Sequence, residues 1–306
     1  MSAGSLLPPV LALLASPLLL GVVTRTRAVF AGRRGAPLLQ PYHDLFRLLR
    51  KGAVYSRRTT LVFRIAPVVV LASTAAAVCT LPFGPWDPPL VFPFDLVLFA
   101  YLLALSRFAI VLGALDTGSS FEGMGASREL LFGALAEPAL FLALLVLVAN
   151  TGELSLSGLL GASAPAGAGM RNPAATALVL VTLFVVALAE GSRIPFDDPA
   201  THLELTMVHE VMILDHSGPD LAILQYASAL KLWALGLLVV GVALPRALPP
   251  LAGALAWGAG LLAFAVGVGV VESTTARVRM SRVPQVLVGS ALLAALALLL
   301  LSGMRP

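Results

Sequence analysis

Eight long apolar runs constrain this chain more than any other feature of its sequence. A helix needs about 20 mostly apolar residues to cross the hydrocarbon core of a bilayer. Eight segments are long enough, at approximately 5–24, 61–81, 96–115, 130–149, 174–190, 221–243, 250–272 and 284–303. Only 12% of the 306 residues are charged, against about 25% in soluble proteins, and the runs lack the short alternating pattern of a β-barrel. We therefore predict an all-α, polytopic integral membrane protein with a single membrane domain over residues 1–306.

Basic residues are distributed unevenly between the connections. The first connection carries ten Lys and Arg residues and the seventh carries Arg277, Arg279 and Arg282, whereas the even-numbered connections hold only Arg171 and Arg246. Because cytoplasmic loops are enriched in Lys and Arg, we predict that the first and seventh connections are cytoplasmic and that both termini lie outside. The pI of about 9.7 therefore reflects topology and does not indicate nucleic-acid binding.

The first connection contains a short amphipathic segment over residues 38–52. Its apolar residues recur at helical spacing, with basic residues opposite, which predicts a helix lying in the cytoplasmic interface. Such a helix can rest among lipid headgroups, cover a cavity or dock a partner, and the sequence leaves these alternatives open. The candidate polar residues of this interfacial helix are Gln40, Asp44, Arg47, Arg50 and Lys51.

A polar, acidic stretch at 190–218 interrupts the apolar pattern and holds three of the four histidines. Asp198 is a candidate N-cap, Pro199 suits the first helical position, and Gly218 followed by Pro219 is a typical stop signal. We therefore predict a helix of about five turns within a cytoplasmic coupling loop at 191–219. A surface helix with solvated acids and ordinary histidines is the alternative.

Charged residues also occur inside the apolar runs. Arg107, Glu137 and Lys231 are placed about 12–16 Å from the cytoplasmic ends of their helices by the 1.5 Å rise per residue. Glu129 is expected at the mouth of the fourth spanning helix, predicted to begin near residue 127, and Glu190 at the cytoplasmic end of the fifth. A charge inside a bilayer costs at least about 2.5–3.5 kcal/mol. Arg107, Glu137 and Lys231 are therefore predicted to face one another or a watery cavity. Together with Glu129 and Glu190 they are the candidate residues of a proton path; a static Arg107–Glu137 pair is the alternative.

Cysteine usage excludes a redox centre within this chain. Iron–sulfur clusters are held by about four cysteines, and this sequence contains only Cys79. No Walker-type phosphate loop is present, and His209-Glu210 lacks the second histidine of a zincin motif. We expect no bound metal or cofactor and a non-catalytic role. The connection at 151–173 is predicted to be passive, and the last two runs to be bundle filling apart from Glu272.

Three motifs resemble a known family. They are RRGAPLLQPYHDLFRLLRK, TGSSFEGMGASRELLFGALAEP and EGSRIPFDDPATHLELTMVHEVMILDHSG. Together they are similar to the membrane subunit of energy-converting (group 4) [NiFe] hydrogenases and formate hydrogenlyases, a relative of subunit 1 of respiratory complex I, the H subunit of NADH-quinone oxidoreductase. The resemblance extends over residues 33–282. The Thr-His-Leu-Glu-Leu-Thr-Met run and His209-Glu210 are similar to the hydrogenase branch.

The resemblance implies a subunit that docks a peripheral redox arm and couples its chemistry to proton or sodium translocation. It implies hydrogenase small and large subunits, a ferredoxin-like Fe–S subunit and antiporter-like membrane subunits as partners, in the inner (cytoplasmic) membrane of a bacterium or archaeon. Fe–S clusters and a [NiFe] centre would lie in those partners. By the same resemblance, Glu137 matches an intramembrane carboxylate of the ion path. The candidate residues of the coupling loop and arm interface are Arg193, Asp197, Asp198, His202, Glu204, His209, Glu210 and Asp215.

Three other functions remain open from the sequence. The chain can be the quinone-binding membrane subunit of complex I itself, with quinone beneath the interfacial helix. It can be a non-conducting membrane anchor, in which the charged residues serve assembly alone. An autonomous transporter is disfavoured, because no internal repeat of the inverted-transporter kind is visible.

Overall fold

The chain folds into a bundle of long helices. The computed structural model describes residues 3–161, 172–197, 207–244 and 249–302, and these ranges contain α-helices and short 3₁₀ turns but no named strand. The α-helices are α1 (Leu7–Phe30), α2 (Gln40–Leu49), α3 (Leu61–Val78), α4 (Asp95–Asp116), α5 (Ser120–Thr151), α6 (Leu156–Leu160), α7 (Pro173–Glu190), α8 (His209–Met212), α9 (Gly218–Ala243), α10 (Pro250–Thr274) and α11 (Val283–Ser302).

Eight of these helices are long and apolar enough to cross a membrane, namely α1, α3, α4, α5, α7, α9, α10 and α11. The prediction of an all-α, multi-pass membrane protein is confirmed. Two helices extend past their predicted limits. α1 continues to Phe30 and includes Arg25 and Arg27, while α5 begins at Ser120 rather than near residue 127. Glu129 therefore lies inside α5, in its third turn, and not at its mouth as predicted.

The centre of the bundle is α9. In the most apolar 18-residue stretch of α9, 67% of the residues are buried, against 22% in α11. α9 packs against α1, α2, α3, α7 and α10. α3 packs along α4, and α11 packs against α5 and α7. Because Lys231 belongs to α9, its side chain lies in the interior of the bundle.

Two other helices are hydrogen-bonded to α1 beside its internal proline, Pro17. Pro17 has no backbone N–H, so the Leu13 carbonyl loses its usual partner in the helix. The Tyr226 hydroxyl of α9 donates a hydrogen bond to that carbonyl at 2.6 Å, and the Tyr42 hydroxyl of α2 donates to the neighbouring Leu14 carbonyl at 2.5 Å. The Leu13 carbonyl thereby regains a hydrogen-bond partner, as a membrane interior requires.

The polar stretch after α7 is mostly not helical where it is described. Between residues 207 and 217 only the single turn α8 is α-helical, and Gly218 begins α9 instead of ending a helix. The prediction of a continuous helix of about five turns is wrong for this part. The Asp197 carboxylate accepts hydrogen bonds from the backbone N–H of Val208 at 3.2 Å and of His209 at 2.9 Å. This contact holds the segment after α7 directly against the start of α8.

Gly218 is required by a close approach between two connections. Its φ is +55°, and a Cβ atom at this position would lie 2.6 Å from the Gly52 carbonyl oxygen. Both facts favour glycine at this position. Gly218 is therefore required for packing, and it does not end a helix as the sequence predicts. The predicted residues Asp198, His202 and Glu204 lie outside the described residues.

The connection after α5 packs into the bundle where the structure describes it. The short helix α6 is wholly buried. The buried Asp95 side chain at the start of α4 accepts a hydrogen bond from the Leu156 N–H at 2.7 Å, and the Ser157 hydroxyl donates to Asp87 at 2.5 Å. Two carboxylates therefore hold α6 against the bundle.

Candidate functional site

The guanidinium of Arg107 lies at the centre of a group of buried ionic side chains. Its Nη1 donates to Glu137 Oε1 at 2.5 Å, and its Nη2 donates to Glu190 Oε1. Its Nε lies 3.6 Å from Glu129 Oε1. Three carboxylates from two different helices, α5 and α7, therefore converge on one arginine of α4.

Lys231 completes this group from α9. Its Nζ lies 2.8 Å from Glu190 Oε2, so Glu190 bridges the two cations. The residues that we name the intramembrane cluster are thus Arg107, Glu129, Glu137, Glu190 and Lys231. The sequence predicts that Arg107, Glu137 and Lys231 face one another, and the structure brings these three together with Glu129 and Glu190. The role of the five residues as a proton path stays a prediction.

The cluster depends on a small residue that the sequence analysis missed. Glu129, Gly133 and Glu137 follow at intervals of four and share one face of α5. A Cβ atom on Gly133 would have only guanidinium atoms of Arg107 as its three nearest neighbours. The missing side chain therefore makes the slot in which the arginine lies. The spacing Glu-x3-Gly-x3-Glu within an apolar run is the signal that could have found it.

A cavity of about 30 Å³ adjoins the cluster; we name it the inner cavity. Arg107, Glu129, Glu190 and Lys231 line it, together with Gly191, Ser192, His209 and Ser228. A volume of about 10–15 Å³ is enough for one water molecule, provided that the walls are polar. The inner cavity therefore has the size and the lining to hold water beside the cluster.

A larger cavity of about 260 Å³ lies between α1, α2, α9 and the loop, and we name it the outer cavity. Its charged lining residues are Asp44, Arg193, Asp197 and Glu210, and His209 also lines it. Several candidate loop residues therefore meet here. Burial lowers the pKa of His209, while the carboxylates of Glu210 and Asp197 act in the opposite direction.

A second ionic group was missed by the sequence analysis. Glu272, near the end of α10, has a fully buried side chain with Arg27 of α1 at 3.5 Å and Arg193 of the loop at 3.6 Å. Burial lowers the pKa of Arg193, and the charge of Glu272 opposes that change. The Val278 N–H also donates to the Pro195 carbonyl at 3.0 Å. We name Arg27, Arg193 and Glu272 the α10 clamp, because they hold the loop to α10.

The other side of the loop is held by α5. The Asp215 N–H donates to the buried Glu122 carboxylate at 3.2 Å, and Arg128 Nη1 donates to the Met207 carbonyl at 3.1 Å. The His216 ring stacks on Phe63 with centroids 3.9 Å apart, and burial lowers its pKa to about 4. Glu122 was not among the predicted residues, because its position before the apolar run resembles that of an ordinary exposed acid.

The predicted interfacial helix is shorter than expected, ending at Leu49. Asp44 accepts from Gln40 Nε2 at 3.0 Å and lies 3.2 Å from Arg47 Nη2. The Arg50 guanidinium lies over the Phe46 ring at 4.1 Å. Of the five candidates, Asp44 alone lines the outer cavity, and Arg47, Arg50 and Lys51 are not buried. Among the described residues, no group of three or more His, Cys, Asp or Glu side chains is arranged to hold a metal ion.

Comparisons with known proteins agree with this architecture. Residues 5–303 match the family model described as NADH dehydrogenase. The chain is 35% identical over 236 residues to Hydrogenase-4 component C of Escherichia coli (strain K12), covering 77% of this chain and 73% of that protein. It is 31% identical over 230 residues to Formate hydrogenlyase subunit 4 of the same organism, covering 75% of this chain and 73% of the relative.

More distant similarity points the same way. The H subunit of the NADH-quinone oxidoreductase of Neisseria meningitidis is 28% identical over 186 residues, covering 59% of this chain and 51% of that protein. A chain from the membrane-bound sulfane sulfur reductase (MBS), an archaeal respiratory membrane complex, has the same fold. The TM-score is 0.83 at 20% identity, with 97% of this chain and 98% of the other covered. The chain therefore belongs to the NADH dehydrogenase family, and it is a multi-pass membrane subunit of the hydrogenase type.

Proposed function

We propose that this subunit couples redox chemistry in partner subunits to the movement of protons, or of sodium ions, across the cytoplasmic membrane. The intramembrane cluster is the ion-handling site, and the loops around α2 and α8 dock the peripheral arm. Fe–S clusters and a [NiFe] centre belong to the arm, in a ferredoxin-like subunit and the hydrogenase small and large subunits. The basic residues of the first and seventh connections support a cytoplasmic position for these loops, since the odd-numbered connections share one side of the membrane.

The charge count of the intramembrane cluster is the observation that carries this proposal. Three carboxyl groups, Glu129, Glu137 and Glu190, face two cations, Arg107 and Lys231. If all five are ionised, the cluster carries one excess negative charge, which is costly in a low-dielectric interior. Binding one proton makes the cluster neutral. A static pair of one arginine and one glutamate would have no such reason to take up a proton.

The exposure of Glu137 supports a path by which ions leave the subunit. Its side chain is 36% exposed, while that of Glu190 is 4% exposed. An ionisable group at the lipid-facing edge of a bundle is unfavourable. A neighbouring antiporter-like membrane subunit would remove that exposure by covering this part of α5. Glu137 would then transfer ions to that subunit.

The test uses the whole complex purified in proteoliposomes, with reduced ferredoxin as electron donor and a pH-sensitive dye inside. The variant Glu137→Gln keeps the shape and a hydrogen-bond acceptor for Arg107 but holds no exchangeable carboxyl proton. We expect protons moved per electron to fall about 100-fold at an unchanged rate of electron flow, because a positioned acid–base group contributes at least about 100-fold to the rate of a proton-transfer step. Glu137→Asp, which keeps the acid, is the matched control. Unchanged coupling in an assembled Glu137→Gln complex would favour the non-conducting anchor.

The outer cavity favours one second candidate, the binding of a quinone, as expected of the corresponding subunit of complex I. It lies beneath α2, where such a site was expected, but its 260 Å³ is below the roughly 300–1,000 Å³ of common ligand sites. Extraction of the purified complex followed by chromatography tests this. Stoichiometric quinone, together with quinone reductase activity, would support it.

A further inference from the structure

The inner and outer cavities share part of their walls. Gly191, Ser192, His209 and Ser228 line both of them. His209 alone among these four carries a group that titrates in the physiological range. One imidazole therefore stands between the water-sized space beside the intramembrane cluster and the larger space beneath α2.

We propose that His209 passes protons between the outer cavity and the intramembrane cluster. This inference rests on the proposed function, and it names the residue through which the cluster exchanges protons with the docking side of the subunit. His209 is a proton-transfer residue here and not a residue of the arm interface alone.

The transfer needs no other reactant. An imidazole can gain a proton at one ring nitrogen and lose one from the other. A hydronium ion in the outer cavity gives a proton to one nitrogen, which forms an N–H bond there and leaves a water molecule. The N–H bond on the other nitrogen then breaks, and its proton goes to a carboxylate that lines the inner cavity, Glu129 or Glu190. The ring ends neutral in its other tautomer, and rotation of the side chain exchanges the positions of the two nitrogens and resets it.

The fold holds His209 for this task. Its backbone N–H is bound by the Asp197 carboxylate at 2.9 Å, and α8 begins at this residue. Charged groups act on it from each element around it: Asp197 and Arg193 from the segment after α7, Glu210 from α8, and Lys231 from α9. The balance of burial and these charges lowers the pKa of His209, so the ring is a neutral proton acceptor near pH 7.

The test compares histidine variants of the whole complex in the proteoliposome assay. We expect His209→Ala to lower protons moved per electron about 100-fold, and imidazole added to the buffer to restore a substantial part of that loss. His43→Ala is the matched control, because His43 lies on α2 and lines neither cavity. His209→Gln, which keeps a polar side chain but exchanges no proton, should behave as His209→Ala without imidazole.

The outcomes separate this inference from the proposed function. Loss of coupling in Glu137→Gln with full coupling in both His209 variants would overturn the His209 relay and leave the proposed function standing. Loss in His209→Ala with no response to imidazole and full activity in His209→Gln would also overturn it, since packing alone would then be the cause. Full coupling in every variant, Glu137→Gln included, would overturn the proposed function itself.

Discussion

The intramembrane cluster and the α10 clamp are both ionic groups within the fold. They differ in the numbers of acidic and basic side chains and in the elements that they join. The intramembrane cluster joins four helices and has three carboxyl groups for two cations. The α10 clamp has two arginines on one carboxylate, and it joins helix ends to the loop. The first group carries excess acid beside the inner cavity. The second carries excess positive charge, and its glutamate lines neither of the two cavities.

Burial of charge therefore does not by itself indicate transport. The α10 clamp pairs two guanidinium groups with one carboxylate, so it has no excess of carboxyl groups for a proton to neutralise. The intramembrane cluster is neutral only when it binds one. We assign a structural role to the α10 clamp and an ion-handling role to the intramembrane cluster, and the following predictions test that contrast.

Removing the central arginine should have the largest effect. Arg107→Ala leaves two buried carboxyl groups and the partly exposed one of Glu137 with Lys231 as the remaining cation of the cluster. Breaking a buried ion pair in this way costs about 3–5 kcal/mol. We expect a clear loss of thermal stability of the subunit in detergent and a low yield of assembled complex. A variant as stable as the wild type would show that Arg107 does not hold the cluster together.

The loop between the two groups should confer a pH-dependent stability through His216. Its pKa is about 4 in the folded protein against 6.5 as the ordinary value, so the unfolded chain binds more protons between these values. Stability should then be full above pH 6.5 and fall by about 3 kcal/mol as the pH approaches 4. His216→Phe keeps the stacking on Phe63 and should remove this part of the pH dependence. Identical thermal unfolding curves against pH for both proteins would contradict the assignment.

Neutralising the clamp should separate stability from coupling. Glu272→Gln removes the charge that both arginines of the α10 clamp share, and a buried polar group that loses its partner costs about 1–3 kcal/mol. We expect a loss of about 2 kcal/mol in unfolding free energy with protons moved per electron unchanged. Glu137→Gln should give the reverse, with about 1 kcal/mol or less of destabilisation and loss of coupling. The contrast between the groups fails if both variants lose coupling equally.

The smallest expected effect concerns the slot for Arg107. Gly133→Ala places a methyl group against the guanidinium, and such overpacking costs about 1–3 kcal/mol. Alanine has a higher helix propensity than glycine, which stabilises the variant by about 0.5–1 kcal/mol. The net loss should therefore be about 1 kcal/mol, with weaker coupling because the ion pairs are displaced. Gly123→Ala in the same helix meets nothing within 4 Å and should be neutral or slightly stabilising by thermal unfolding. Equal behaviour of the two variants would show that the slot is not tight.

The membership of the intramembrane cluster was predictable from sequence because the bilayer penalises isolated charge. Arg107, Glu137 and Lys231 stand alone in apolar runs, so each needed a partner at similar depth. The α10 clamp was not predictable. Arg27 and Arg193 resemble ordinary cytoplasmic residues, and Glu272 lies near a helix end, where a charge carries no such penalty. Their pairing depends on how α1, α10 and the loop pack together.

The number of spanning helices, the position of most helix ends and the need for buried charges to meet can all be derived from the amino-acid order. These properties follow from the length of apolar runs and from the cost of an unpaired charge in lipid, which act residue by residue. The shape of the loop at 207–217, the early start of α5 and the slot at Gly133 depend instead on how the helices pack. The Asp197 and Glu122 carboxylates bind loop amides 11 to 93 positions away in the chain. Local capping signals cannot report such contacts, because these bonds form only after the helices have packed.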